Sequence, residues 1–198
     1  MNFLAHAYLS FDEPKVMVGN FIGDFVRGDI EKRFEKEIAY GIILHREIDE
    51  FTDSHHAVKK AQKILKSHFG RYALVITDMY SDYFLSKYWN QYDDRSLVEF
   101  SHYVYDVLEA HRGILPNKFL HIFNYMKEQN WLACYGTIDG MKTAFTSISR
   151  RATFNSKMEF AHIILEERHE IFKSCFEEFF PDLVTFSRKR LTELKSGI

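Results

Sequence analysis

The 198-residue sequence predicts an all-α, single-domain multi-helix bundle, and three observations carry that prediction. Apolar residues recur at spacings of three and four along most of the chain, the period of an amphipathic helix. Strong β-branched alternation, the signature of half-buried strands, is absent. Only three prolines and nine glycines punctuate the pattern, with no Pro/Gly/Ser-rich tract to mark a linker. A chain of this length fits one domain spanning residues 1–198 and buries a substantial core.

The elements follow in order. Pro14, after Asp12 and Glu13, opens a helix over residues 14–26 that Gly28 ends. A long helix is expected over 35–52, with Gly41 as an interruption inside it, and another over 57–67, closed before Gly70. Residues 71–89 form a further long helix, with Leu74, Val75, Met79, Phe84 and Leu85 at helical spacing. An amphipathic helix over 96–111 stops at Gly113, and Pro116 restarts the chain into one that reaches Leu132. Helices over 137–151, 156–179 and 182–194 complete the set, the last opened by Pro181 and Asp182.

A net charge of −2 excludes a globally basic nucleic-acid binder, so no nucleic acid is expected as a partner. The charge is nonetheless uneven. Residues 54–77 contain no acidic side chain and carry Lys59, Lys60, Lys63, Lys66 and Arg71. Lys59, Lys63 and Lys66 share one helical face, either a solvated surface or a docking face for an acidic protein or a phosphate-bearing ligand. Cys134 and Cys175 lie in apolar helical contexts without a C-x-x-C pattern, which predicts buried free thiols. The first residues lack a basic leader and place His6 inside a short apolar run, against a secretory signal. No apolar run approaches the ~20 residues of a membrane span, so a cytoplasmic protein is expected.

The segment H-R-E-I-D-E-F-T-D-S-H, residues 45–55, is the densest group of potential ligands. His45 and Asp49 lie four apart and Asp53 follows one turn later, which aligns an imidazole and carboxylates on one helix face. That pattern suits a divalent cation or, alternatively, a solvated acidic face. Asp24 sits in G-N-F-I-G-D-F-V-R-G among Phe21, Ile22, Phe25 and Val26, with Gly19 and Gly23 allowing close helix approach. A carboxylate in such a setting calls for a cation or a pairing with Arg27 or Arg46. Asp78 and Asp82 share one face of a strongly apolar helix and would repel without a proton or cation between them. His6 is either a ligand or helper of this group or a hydrogen-bonded core histidine. A competing di-iron reading draws on E-x-x-H at Glu99–His102, Glu159–His162 and Glu166–His169, but the last two share one predicted helix.

A mixed His/Asp site suits Mn²⁺, Mg²⁺, Fe²⁺ or Zn²⁺, with the oxygen-rich composition favouring the harder ions. Such ions activate water and polarise phosphoryl oxygens, the two tasks of phosphoester hydrolysis. Arg46, Arg71, Arg150 and Arg151 are candidates to hold phosphate oxygens.

Four motifs in one order resemble a known family, the acyl carrier protein phosphodiesterases, relatives of the HD-type metal phosphohydrolases. They are M-N-F-L-A-H at 1–6, G-N-F-I-G-D-F-V-R-G at 19–28, G-I-I-L-H-R-E-I-D-E-F-T-D-S-H at 41–55 and R-Y-A-L-V-I-T-D-M-Y-S-D at 71–82. The second half is similar only loosely, with S-R-R at 149–151 its most suggestive piece. The resemblance implies an HD-phosphohydrolase-like helical enzyme that uses Mn²⁺ or a similar ion. Its substrate would be holo-acyl carrier protein, cleaved to the apo-protein and 4′-phosphopantetheine. By that analogy Asp24, His45, Asp49 and Asp78 are the metal-ligand candidates, and His6, Asp53 and Asp82 serve beside them or in proton transfer. The adjacent His-Asp pair of HD enzymes is replaced here by His45-Arg46, and Asp49, one turn on, supplies the carboxylate. Acidic carrier proteins also give the face of Lys59, Lys63 and Lys66 a partner. Two other functions share these features: hydrolysis of a nucleotide or other small phosphoester, and non-catalytic binding of an acidic protein.

Overall fold

One close crossing of two backbones organises the fold. In the computed structural model, which describes residues 2–197, α2 (Pro14–Ile22) lies against α3 (Lys36–Ser54), and the two meet through glycine. A Cβ at Gly19 would stand 2.0 Å from the carbonyl oxygen of Ile38, and one at Gly41 would stand 2.1 Å from that of Val16. A side chain at either position forces the helices apart. Gly41, an interruption when read along the chain, is therefore the counterpart of Gly19 across the crossing. The ~1 kcal/mol it costs a helix relative to alanine is offset by the packing it permits.

Helix accounts for 79% of the chain and no strand forms among the described residues, as the sequence predicts. Around the crossing stand α1 (Phe3–Tyr8), α4 (His56–Phe69) and α5 (Ala73–Lys87). The second half adds α6 (Leu97–Ala110), α7 (Asn117–Glu128), α8 (Trp131–Cys134) and α9 (Ile138–Ser149), then α10 (Ala161–Glu167) and α11 (His169–Ser196). A single cluster of buried apolar side chains runs from Leu4 on α1 through Phe21, Ile42, Phe84 and Phe145 to Leu191 on α11.

Several boundaries differ from the sequence reading, each for a physical reason. Helix α1 carries too few residues to sustain itself alone. It is held from far along the chain, because Leu4 N and Ala5 N donate to the two carboxylate oxygens of Asp82 on α5, at 2.9 and 3.1 Å. The helix expected over 14–26 stops at Ile22 and tightens into a 3-10 turn, Gly23–Phe25. The one expected to reach Leu132 breaks at Asn130, whose φ of 45° is left-handed, so that α8 starts in a new direction. Residues 156–179 are likewise two helices, since α10 ends at Glu167 and α11 begins at His169.

Pro181 starts no helix; it lies inside α11. Its missing N–H costs roughly 3 kcal/mol, but it sits on the exposed side while Phe176, Phe179, Phe180 and Leu183 around it are buried. At about 1.5–3 kcal/mol each, those four side chains outweigh the defect. Cys175 is buried as expected, whereas Cys134, expected to be buried, is exposed. The turn at Asn130 swings the short α8 so that the Cys134 thiol faces outwards and donates to the Gln129 carbonyl at 3.3 Å. No helix among the described residues is long and apolar enough to cross a membrane.

Candidate metal centre

Helix α3 presents His45 and Asp49 one turn apart on one face, and the α2–α3 crossing sets that face against Asn20, the neighbour of Gly19. The His45 ring then fills the space beside Gly23, where a Cβ would lie 2.4 Å from it. Only glycine fits there, and the turn it begins delivers Asp24 to the same place. Helix α1 supplies the fourth group, His6, whose ring stacks on that of His45 with centroids 4.1 Å apart.

Asn20, fully buried, fixes both imidazoles. Its side-chain amide donates to the His6 carbonyl at 2.9 Å and to Ser10 Oγ at 3.1 Å, which leaves Oδ1 to accept from His6 Nδ1 at 2.7 Å. Its backbone carbonyl accepts from His45 Nδ1, also at 2.7 Å. With both Nδ1 atoms donating, the neutral rings carry their lone pairs on Nε2. These two Nε2 atoms are buried and have no hydrogen-bond donor. What they face instead is carboxylate oxygen. His6 Nε2 lies 3.3 Å from one oxygen of Asp49, and His45 Nε2 lies 3.4 Å from the other and 3.3 Å from Asp24 Oδ1. Lone pairs and carboxylates converge in this way around a cation, and ligand atoms of His6, His45 and Asp49 all fall within 4.8 Å of one another. The donor set, two imidazoles and a carboxylate with a second carboxylate adjacent, fits a divalent metal ion.

The electrostatics agree. Burial, with His45 beside it, pushes the His6 imidazole down to about 4, so it is neutral at physiological pH and available as a ligand. Burial alone would raise Asp49, but its contact with His6 outweighs this and holds the carboxyl well below the usual range. Contact with His45 lowers Asp24. Asp78 is raised by burial, and the negative charges of Asp49 and Asp53 add to the shift; the converging group of ligand atoms is made by His6, His45 and Asp49 without it.

The structure thus brings Asp24, His45 and Asp49 together with His6, and His6 Nε2 is one of the atoms that converge there. Asp53 is exposed, one turn beyond Asp49. Asp82 is fully buried beneath α1, pushed up to about 7 by burial against the opposing pull of the Leu4 and Ala5 amides. Arg46 is exposed and donates to the Val26 carbonyl at 3.1 Å rather than to Asp24. Arg71 stacks on Phe154 at 4.4 Å, and Arg150 and Arg151 follow the end of α9. Lys59, Lys63 and Lys66 are exposed on α4. The E-x-x-H residues have other work: Glu99 closes the capping box of α6, Glu159 bonds Ser149, and His169 bonds Glu170. Asn20 is the residue that sequence reading misses, although an amide within an apolar run signals a buried group that needs partners.

Residues 1–183 match the profile of the family described as "Acyl carrier protein phosphodiesterase". A protein of that name from Photorhabdus laumondii subsp. laumondii is 30% identical over 182 residues, 91% of this chain and 92% of its own length. Another from Escherichia coli O6:H1 is 30% identical over 193 residues, 96% of this chain and 100% of its own length. No solved structure matches the chain.

Proposed function

The chain belongs to the acyl carrier protein phosphodiesterase family, and from that premise we propose that it hydrolyses holo-acyl carrier protein to the apo-protein and 4′-phosphopantetheine with Mn²⁺ as cofactor, on an HD-phosphohydrolase-like domain. The observation that carries this reading is the pair of buried Nε2 atoms on His6 and His45 aimed at the carboxylates of Asp49 and Asp24. His6, His45, Asp49 and Asp24 would hold the ion, with Asp78 beside them. When bound, such an ion supplies Lewis acidity to a phosphoryl oxygen and lowers the pKa of water.

The remaining roles belong to the chain itself. Asn20 sets the tautomer and direction of both imidazoles, so that two ligands are in place before an ion arrives. Asp82 anchors α1 and therefore His6. Asp53, at the solvent edge, and Asp78, whose carboxyl burial raises above the usual range, would be the groups that exchange protons with substrate. Arg46, Arg71, Arg150 and Arg151 supply guanidinium groups for phosphate oxygens. Lys59, Lys63 and Lys66 on α4 steer an acidic helical carrier towards the enzyme.

Intact-mass measurement of holo-acyl carrier protein incubated with the enzyme and Mn²⁺ tests the reading. Loss of the phosphopantetheine mass is expected with Mn²⁺ and is abolished by EDTA. Survival of the holo-protein in the presence of folded, metal-loaded enzyme would remove this substrate, and turnover of small phosphoesters alone would redirect the assignment to them.

A further inference from the structure

A groove of about 480 Å³ runs along α9. Small-ligand sites typically measure about 300–1,000 Å³ and combine an apolar lining with a few polar groups, and this groove does both. Two stripes of α9 face it side by side. Gly140, Ala144 and Ile148 make an apolar one, and Asp139, Thr143 and Ser147 make a polar one. Asp139 and Ser147 stand eight residues apart on the helix, about 12 Å at the α-helical rise. Phe3, Trp131 and Tyr135 complete the apolar lining, and Asn2 and Gln129 add amides. The apolar and hydrogen-bonding stripes run in parallel along the helix, with the Arg151 guanidinium at the far end of the polar one.

Two structural links relate the groove to the metal centre. Phe3, which lines it, stands one turn before His6 on α1, on the same helix face. The Phe3 ring also lies 6.5 Å from that of Phe119, which lies 5.3 Å from that of Phe25, the residue after Asp24. Through Phe3 the groove's lining thus shares a helix with His6 and, across the buried Phe119 ring, a chain of ring contacts with the residue after Asp24.

We propose that this groove binds the pantetheine arm of the substrate, an extended uncharged chain of methylene and amide groups, while the phosphate at its end lies at the metal centre. The proposal rests on the phosphodiesterase reading and adds a subsite to it. The apolar stripe covers the methylenes. Ser147, Asn2 and Gln129 offer partners for the amides, and the Thr143 hydroxyl, which donates to the Asp139 carbonyl at 3.0 Å, remains free to accept.

Ala144→Trp, which places an indole in the groove, provides the test. Against holo-acyl carrier protein its kcat/KM should fall about tenfold or more, the scale on which pocket occupancy discriminates substrates. Hydrolysis of bis(p-nitrophenyl) phosphate, a diester with no arm, should stay within about twofold of wild type, because the metal centre is untouched. Equal effects on the two substrates overturn the proposal. If wild-type enzyme leaves the carrier protein uncleaved, the phosphodiesterase reading fails, and the groove is judged separately through Cys134. This exposed thiol lines the groove while Cys175 is buried, so N-ethylmaleimide adducts counted by intact mass report on occupancy. N-Pentylpantothenamide, which carries the arm's amides and no thiol, should slow labelling of the wild-type enzyme. An unchanged labelling rate at millimolar compound overturns the proposal even if the Ala144→Trp chain does not fold.

Discussion

Replacing Asn20 by alanine separates a ligand-orienting role from a purely structural one. The substitution removes three hydrogen bonds at a fully buried position: those to His6 Nδ1, the His6 carbonyl and Ser10 Oγ. The His6 carbonyl keeps a donor, because Ser10 Oγ bonds it at 2.8 Å. His6 Nδ1 loses its acceptor and is left buried without one, at about 1–3 kcal/mol. With about 1 kcal/mol for the other lost bonds, the expected destabilisation is about 2–4 kcal/mol. For a chain of this size that lowers Tm by about 4–16 °C. The second effect is on metal. His45 keeps its anchor, since the Asn20 backbone carbonyl is unchanged, while His6 becomes free to rotate or to change tautomer. Loss of such an outer partner weakens metal affinity by about 10–100-fold. Calorimetric titration of the EDTA-stripped protein with Mn²⁺, beside guanidinium unfolding without metal, reads the two effects separately. Lower stability with unaltered Mn²⁺ affinity would show that Asn20 is scaffold only and would refute the argument from tautomer and direction.

Four further outcomes are expected. Saturating Mn²⁺ at about 100 times its Kd should stabilise the stripped protein by roughly 2.7 kcal/mol, visible as a thermal shift that His45→Ala abolishes; a shift that persists in the variant would place the ion elsewhere. Asp82→Ala leaves two buried amides of α1 without an acceptor and should cost about 2–5 kcal/mol in denaturant unfolding, whereas Asp53→Ala, at an exposed position, should leave stability within about 0.5 kcal/mol. His6 titrates near 4 when folded against 6.5 when unfolded, so between those values the unfolded chain holds a proton that the folded chain lacks. Its contribution to the unfolding free energy of stripped protein therefore rises with pH across that window, by about 2 kcal/mol between pH 5 and 7. Asp82, pushed up to about 7, contributes in the opposite sense, so the His6 part is read as the difference between wild type and His6→Gln, and a pH-independent difference would mean that folding does not lower the His6 imidazole. Charge reversal of Lys59, Lys63 and Lys66 together should lower kcat/KM for the carrier protein about tenfold at low salt, with the deficit shrinking as ionic strength rises, and unchanged low-salt kinetics would remove α4 from the docking surface.

How far the site is legible in sequence depends on the range of the interaction that builds each part. His45 and Asp49 lie on one helix, so their alignment follows from the 3.6-residue period and is visible in the string of residues. Asp24 is visible as a misplaced carboxylate in an apolar segment, and the glycines around it announce close packing. What they pack against is not announced, because Gly19 and Gly41 are 22 positions apart and neither motif refers to the other. His6 is ambiguous for the same reason. Its helix has no local cause, its first amides being held by a carboxylate 77 and 78 residues away, so nothing near it in sequence says which way the imidazole points. The misread boundaries in the second half share this origin. Pro181 is a helix breaker by local rules and a tolerated interior residue once four neighbouring apolar side chains are buried.

The glycines and the ligands are parts of one device. A site of two imidazoles and two carboxylates drawn from α1, α3 and a 3-10 turn needs those segments to approach more closely than side chains allow. Gly19 and Gly41 let the backbones of α2 and α3 touch, which carries Asn20 to the flank of α3 where His45 stands. Gly23 then leaves the volume that the His45 ring occupies and ends α2 in the turn that brings Asp24 round. Gly19 and Gly41 each give up about 1 kcal/mol of helix stability relative to alanine, and together with Gly23 they gather two buried imidazole lone pairs, the partly buried Asp49 and the exposed Asp24 carboxylate at one place. Because these groups meet only in the folded chain, a cation bound among them would add to the stability of the folded state as well as supply chemistry.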